Sequence, residues 1–286
     1  MGVLMRRCRG GALGGLALLA LYGGLGRGAA AETPSHAAKL SAEQIIAKNA
    51  AARGGLDAWR KVQTMIWVGH IESAHAPQGS MLFELQQQRP NKTRLEITAH
   101  GQKTVRVFDG SQGWKLRTAQ SGAPPTAQPY TTEELRFARG GQGVDGPLID
   151  AAARGNLVTL GGLDEIDGRK AWRLDVRLPG GERDQLWIDA KTFLDIRCDR
   201  VTDGPGPAGL PRHIVSLIYR DYRSFDGLRI PSIIESAAGA GGPPDRMVIE
   251  RVLVNTPLDQ RAFVMPSAPH PRFRTLPGNA GAPSSG

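Results

Sequence analysis

Cysteine is almost missing from this chain: two in 286 residues, Cys8 and Cys198. No disulfide framework can rest on that pair, so stability has to come from an apolar core. A bilayer-spanning apolar run is missing too; the longest candidate, residues 12–25, falls short of the roughly 20 residues a spanning helix needs. Clustered basic charge is missing: the net charge is +9, but lysines and arginines are scattered, which excludes the footprint of a nucleic-acid binder. No nucleophile elbow, zinc helix, phosphate loop or dinucleotide fingerprint occurs, so no catalytic residue and no cofactor is expected. His70 and His75 are five apart, which on a regular strand puts them on opposite faces and argues against a shared metal. Asp164, Glu165 and Asp167 read as an acidic turn, and Cys198 lacks a neighbouring histidine.

What is there begins with an export signal. Arg6, Arg7 and Arg9 give a positive start, residues 12–25 an uncharged apolar stretch, and Ala29, Ala30 and Ala31 a small-residue cleavage site before Glu32. Cleavage there leaves 255 residues, removes four arginines and Cys8, and lowers the net charge to +5. That charge suits an anionic membrane surface or acidic partners. The expected organisation is a signal over 1–31, one domain over 32–266 and a Pro/Gly/Ala/Ser-rich tail over 267–286.

Ser41 and Gln44 form a capping box, Leu40 and Ile45 a staple, and Gly54 and Gly55 a stop, which together predict a helix. A short turn over 56–61 carries Trp59. From residue 62 the apolar period falls to about two. Strands are expected over 62–74, 80–88, 92–99, 103–108 and 113–118, then over 157–160, 170–178, 183–188, 193–200, 212–222, 228–236 and 245–254. Turns such as Asp109-Gly110 and Asp167-Gly168 are short enough to force antiparallel neighbours. Between the two groups lie short helices at 132–139, capped by Thr132, and 147–154, with Leu148 and Ile149 as an apolar face. Glycines 140, 141, 143 and 146 tie this region loosely. Roughly ten or eleven strands at such spacing make an all-β sheet or barrel whose inner face helices, a ligand or both must fill. Trp67, Phe83, Leu85, Trp114, Trp172 and Trp187 lie on these strands and are expected to line an apolar cavity.

Several segments resemble a known family. Phe83 to Lys92, a strand ending in Arg89-Pro90-Asn91, is similar to the periplasmic lipoprotein carrier LolA, as is Val107-Phe108-Asp109-Gly110 followed by Trp114. Asn255 to Asp259 with Phe263 to Pro266 resembles that family's C-terminal end. Asp167-Gly168 to Trp172, then Leu186 to Thr192, looks like its longer relatives, the outer-membrane lipoprotein-sorting-like proteins. The resemblance implies an α+β fold: a curved antiparallel sheet forming an unclosed β-barrel, with lid helices over an apolar cavity. It implies a periplasmic carrier of lipid or lipoprotein acyl chains, served by an inner-membrane exporter and an outer-membrane acceptor, with Arg89 as the latch of the lid. The alternative on the same fold is an envelope-stress sensor or protein-interaction module. A carrier has a physical task to perform: a 16-carbon chain represents on the order of 12 kcal/mol of apolar transfer and does not cross water uncovered.

The first expected outcome concerns the signal. Intact-mass analysis of exported protein should place the N-terminus near Glu32, and an uncut chain in the membrane fraction would refute the export reading.

Overall fold

The computed structural model describes residues 40–73, 81–117, 126–140, 143–203, 212–238 and 243–266. The export segment, His75, the tail from 267 and most of the loops at 121–128 and 203–211 lie outside the described residues.

Helix α1 spans Ala42–Ala52 and starts as its capping box dictates: the Gln44 N–H donates to Ser41 Oγ at 3.2 Å and the Ser41 N–H to Gln44 Oε1 at 2.9 Å. Its buried stripe is Ala42, Ile45, Asn49 and Ala50. Gly54 and Gly55 end it with φ of +113° and +97°. A side chain at Gly54 would also collide with the Gly227 carbonyl, its Cβ only 2.5 Å from that oxygen. Helix α2, Leu56–Lys61, follows, with Trp59 fully buried and its Nε1 donating to the Arg53 carbonyl at 3.0 Å.

Among the described residues, thirteen strands form a single sheet. The first six are β1 Thr64–Glu72, β2 Met81–Gln88, β3 Lys92–Ala99, β4 Gln102–Phe108, β5 Gly113–Arg117 and β6 Gln128–Pro129. The next seven are β7 Leu157–Ile166, β8 Arg169–Arg177, β9 Arg183–Asp189, β10 Asp195–Asp203, β11 Arg212–Phe225, β12 Leu228–Ala238 and β13 Asp245–Val254. Each group is an antiparallel meander, and the two join where β1 pairs with β13. The sheet does not close: β6 is one edge and β7 the other. No helix among the described residues is long and apolar enough to cross a membrane.

The unclosed antiparallel architecture expected from the sequence is the one found, with three corrections of detail. The strand count is thirteen; β6 is two residues long and carries no alternation to read. Residues 147–154 form turns and bends instead of a helix. Asp150 sits in the left-handed region at φ +52°, and Gly146 and Gly155 are both at +75°, which breaks any helical run. Helix α3, Thr132–Arg139, is capped by Thr131 and not Thr132: the Thr131 hydroxyl accepts from the Glu134 N–H, and the Glu134 side chain accepts from the Thr131 N–H.

Apolar clusters form on both sheet faces, by different means. On the helix side, Met65, Phe83, Ile230 and Ile249 pack with Ala50, Trp59, Val144 and Ile149. Beside them Leu174, Val176, Leu186 and Ile188 pack with Ala42, Ile45 and Leu148. The register pairs Leu95 with Arg106, so Val105 and Val107 point to the opposite face, and Trp114, paired with Val107, follows them. Phe263, at the end of a 3-10 turn over Gln260–Phe263, closes that second cluster, its carbonyl accepting from Trp114 Nε1 at 3.3 Å.

Phe263 is 2 % exposed and caps a cluster that the helices never reach. Phe263→Ala is expected to lower unfolding stability by about 3 kcal/mol in urea titration. A loss under about 1 kcal/mol would show that the segment is not part of the core.

Candidate functional site

Between the two opposite sheet edges in the chain lie the described residues 130–140 and 143–156, which pack against the helix side of the sheet. Their first part is α3, none of whose residues is buried. At one end Glu134 accepts from Arg106 Nη2 at 3.0 Å and Lys115 Nζ at 2.9 Å, on β4 and β5. At the other, Phe137 stands under the guanidinium of Arg200 on β10, 5.4 Å from its ring centre. Partial burial pushes the Glu134 carboxyl up, but hydrogen bonds from Lys115, the Thr131 N–H and Arg106 outweigh it and hold the group at about 2. A depressed carboxylate contributes fully above its ordinary value of 4.5 and loses that contribution only as pH falls toward 2. This contact therefore survives mild acid.

The second part, residues 143–156, is a strap. Its centre is Asp145, 2 % exposed. Arg89 Nη2 lies 2.6 Å from one carboxylate oxygen and Arg154 Nη1 3.0 Å from the other. Arg53 Nη1 donates to the Asp145 carbonyl at 3.0 Å. Arg89 makes two further bonds, Nε to the Val62 carbonyl at 2.6 Å and Nη2 to the Trp59 carbonyl at 2.9 Å. One guanidinium thus ties the end of β2, the C-terminal end of α2 and the strap, which is what a planar fork with five donors can do. A more exposed clamp, Arg60 Nη2 to Asp150 Oδ1 at 2.6 Å, repeats the tie from α2.

Beneath the strap is a cavity of about 200 Å³. Its lining comes from β1 and β2 (Trp67, Gln87) and from β9 to β12 (Leu186, Cys198, Arg200, Leu217, Tyr219, Ile230, Ile234), with Trp59 and Val144 above. Strands β2 and β9 are six positions apart, roughly 29 Å on a flat sheet at the usual strand spacing. They can share so small a space only because the sheet curls.

The cavity has a polar pole. Asp195 faces Arg53 Nε at 3.6 Å and the Asn49 amide at 3.4 Å, and accepts from Tyr222 at its carbonyl at 3.0 Å. Arg200 Nε is 3.7 Å from Asp184, which is 1 % exposed. Burial raises Tyr219 and Tyr222, keeping both hydroxyls neutral. Burial, reinforced by Asp184, pushes the Cys198 thiol to about 12, so it carries almost no thiolate at neutral pH.

Of the six aromatic and aliphatic residues singled out from the sequence, Trp67 lines the cavity. Phe83 and Leu85 share its face but pack into the neighbouring core. Trp172 packs against the helix-side cluster of Leu174, Leu186 and Ile45, paired with Ile188. Trp114 faces the other side of the sheet, under Phe263. Trp187 does so too, donating from Nε1 to Asp164 at 2.8 Å with Arg197 over its ring at 5.0 Å. Sequence reasoning missed Arg53, Asp145, Asp195, Arg200, Tyr219 and Tyr222. Tyr219 was findable, since it alternates in phase with Leu217; Asp145 and Asp195 lie outside any periodic pattern. Among the described residues no group of three or more His, Cys, Asp or Glu could hold a metal ion.

Fold and site define a class: an open antiparallel half-barrel whose curled face encloses a strapped cavity. No family model and no curated protein matches the chain. Solved structures share its shape. A DUF1329 family protein from Desulfovibrio piger aligns over 78% of this chain and 97% of its own, at 12% identity and a TM-score of 0.52. A LolA superfamily protein from Nitrosomonas europaea aligns over 79% of this chain and 98% of its own, at 12% identity and a TM-score of 0.49. The likeness is one of fold.

Removing the Arg89 fork leaves Asp145 with Arg154 alone and takes two bonds from the α2 carbonyls. Arg89→Leu should speed amide exchange over 143–147 and raise the labelling rate of Cys198 by a thiol reagent about tenfold or more, given the cost of breaking a buried pair. Global stability should change little. Equal exchange and labelling in both proteins would make Arg89 a plain structural arginine.

Proposed function

We propose that the chain is a periplasmic carrier that takes the acyl chains of a lipid or lipoprotein into the half-barrel and moves them between envelope membranes. In this reading Arg89 latches the strap, Trp67 and its apolar neighbours receive the chain, and an inner-membrane exporter and an outer-membrane acceptor are its partners. The observation that carries the reading is the partly open cavity under a strap held at a few charged points. At about 200 Å³ it is smaller than the 300–1,000 Å³ or so typical of ligand pockets. A long acyl chain fits only if the strap or α3 yields. A cover tied by charged contacts and built without a buried helix face suits reversible opening. The export signal and the net charge of +5 on the cleaved chain fit work at anionic membrane surfaces.

Protein purified from the periplasm of its host should release stoichiometric acyl lipid on organic extraction, detected by mass spectrometry. A stoichiometric protein partner with no lipid would overturn the carrier reading in favour of the interaction module.

A further inference from the structure

A cleft of about 480 Å³ lies at the C-terminal end of α3 and shares no lining residue with the cavity. Four parts of the chain meet there: the end of α3, the strap at Arg154, the turn between β8 and β9, and the turn after β2 at Asn91. The end of α3 lies close against the β8–β9 turn, since a Cβ at Gly140 would stand 3.3 Å from Glu182 Cγ. Three lining side chains are arginines, Arg136, Arg139 and Arg154, and one is a carboxylate, Glu182. The lining therefore carries an excess of two positive charges.

That excess is not cancelled at close range. Among the described residues no ion pair joins Glu182 to Arg139 or Arg154, and the one bond of Arg139 goes to a neutral acceptor, the Ser111 carbonyl, at 3.5 Å. Arg154 is held from behind. Its Nη1 donates to Asp145 Oδ1 at 3.0 Å and to the Gly146 carbonyl at 2.8 Å. Asp145 also serves Arg89, so one carboxylate meets two guanidinium groups and a positive charge is left over. Nε and Nη2 of Arg154 donate to none of the described residues. The end of α3 adds at most about half a negative charge, less than the excess.

The lining selects the anion. Guanidinium groups that reach one space from a helix and from a strap suit oxygens pointing in several directions, as on a phosphate; a carboxylate fills a single fork. The volume falls in the 300–1,000 Å³ or so of small-molecule sites, more than inorganic phosphate needs. Leu178 and Pro179 supply an apolar side. We propose that this cleft binds the phosphate headgroup of an anionic phospholipid, with Arg136, Arg139 and Arg154 on the phosphate and the glycerol portion against Leu178 and Pro179. This goes beyond the carrier reading, because the site is outside the cavity and docks the protein on a membrane whatever the cavity holds.

The experiment is calorimetric titration of the delipidated, exported protein with monomeric dihexanoyl-phosphatidylglycerol, dihexanoyl-phosphatidylcholine and inorganic phosphate. The two lipids share their tails and differ in headgroup charge. Phosphatidylglycerol should bind about tenfold more tightly than phosphatidylcholine, the size of one charge-assisted hydrogen bond gained. Arg136→Gln with Arg139→Gln should bring that ratio close to one, and Arg139→Gln alone should lower it in the same direction. Arg229→Gln with Arg251→Gln removes the same charge from exposed positions outside the cleft and should leave the ratio unchanged. Equal affinity of the wild type for the two lipids, or an equal fall of the ratio in both double variants, overturns the proposal. Binding of inorganic phosphate without binding of phosphatidylglycerol also overturns it, and gives the cleft to the free ion. The carrier reading is decided separately, by the acyl lipid extracted from the purified protein.

Discussion

Strands β6 and β7 follow one another in the chain yet form opposite edges of a thirteen-stranded sheet. That is the constraint on which the rest of the molecule depends. Pairing β1 with β13 puts the chain ends of the two meanders in the middle of the sheet, so the segment between the meanders has to travel from edge to edge. It can do so only across a face. The curl of the sheet shortens the crossing and encloses space under it. Helices α1 and α2, arriving just before β1 at the centre of the sheet, fill part of that space and meet the crossing segment there. The cavity is what remains between them.

The same topology explains why the crossing is fastened with charge. Among its described residues, the segment from 131 to 156 joins no sheet ladder, and its backbone groups need other partners. The Asp145 carbonyl is taken by Arg53, the Gly146 carbonyl by Arg154 at 2.8 Å and the Pro147 carbonyl by the Asn156 amide at 2.9 Å. Asp145 gathers Arg89 and Arg154 at one buried point, linking the strap to β2 and to itself. Burying such a carboxylate alone is costly; Arg89 and Arg154 offset that cost, and where one of them is lost a local opening of the strap can hydrate the charge.

Much of this was legible in the sequence, for physical reasons that differ by element. Period-two alternation located β3 and β13 at their observed bounds, because half-buried strands must alternate. The α1 capping box and its double-glycine stop are local chemistry and were equally plain. The strap was misread as partly helical because Leu148 and Ile149, adjacent and apolar, serve two different clusters instead of one helix face. Alternation says that a strand aromatic is buried, not against which face. A sheet with apolar clusters on both sides therefore scatters its tryptophans: Trp67 meets the cavity, while Trp114 and Trp187 pack behind it. The polar pole was the least legible part, since Asp195, Arg200 and Tyr219 come together only through the register of β10 and β11 and the curl of the sheet.

The distribution of burial along the crossing segment decides which part of it can yield. Leu148 is 1 % exposed and Ile149 fully buried, and each sits in a separate core cluster. Withdrawing both side chains would cost on the order of 3–6 kcal/mol before any strain, at about 1.5–3 kcal/mol for each. The stretch from α3 to Pro147 is different. It buries one large apolar side chain, Val144, among its described residues, and α3 buries none. Its other ties are ion pairs and hydrogen bonds, which water can replace at modest net cost when the groups become exposed. Gly146, already at φ +75°, stands where this stretch meets the anchored pair. The cover should therefore open by release of α3 and of the stretch from Gly143 to Pro147, with a pivot near Gly146, Leu148 and Ile149 staying in the core and the sheet keeping its curl. A cavity opened this way keeps its polar pole, because Asp195, Arg200 and Tyr222 belong to the strands and not to the flap.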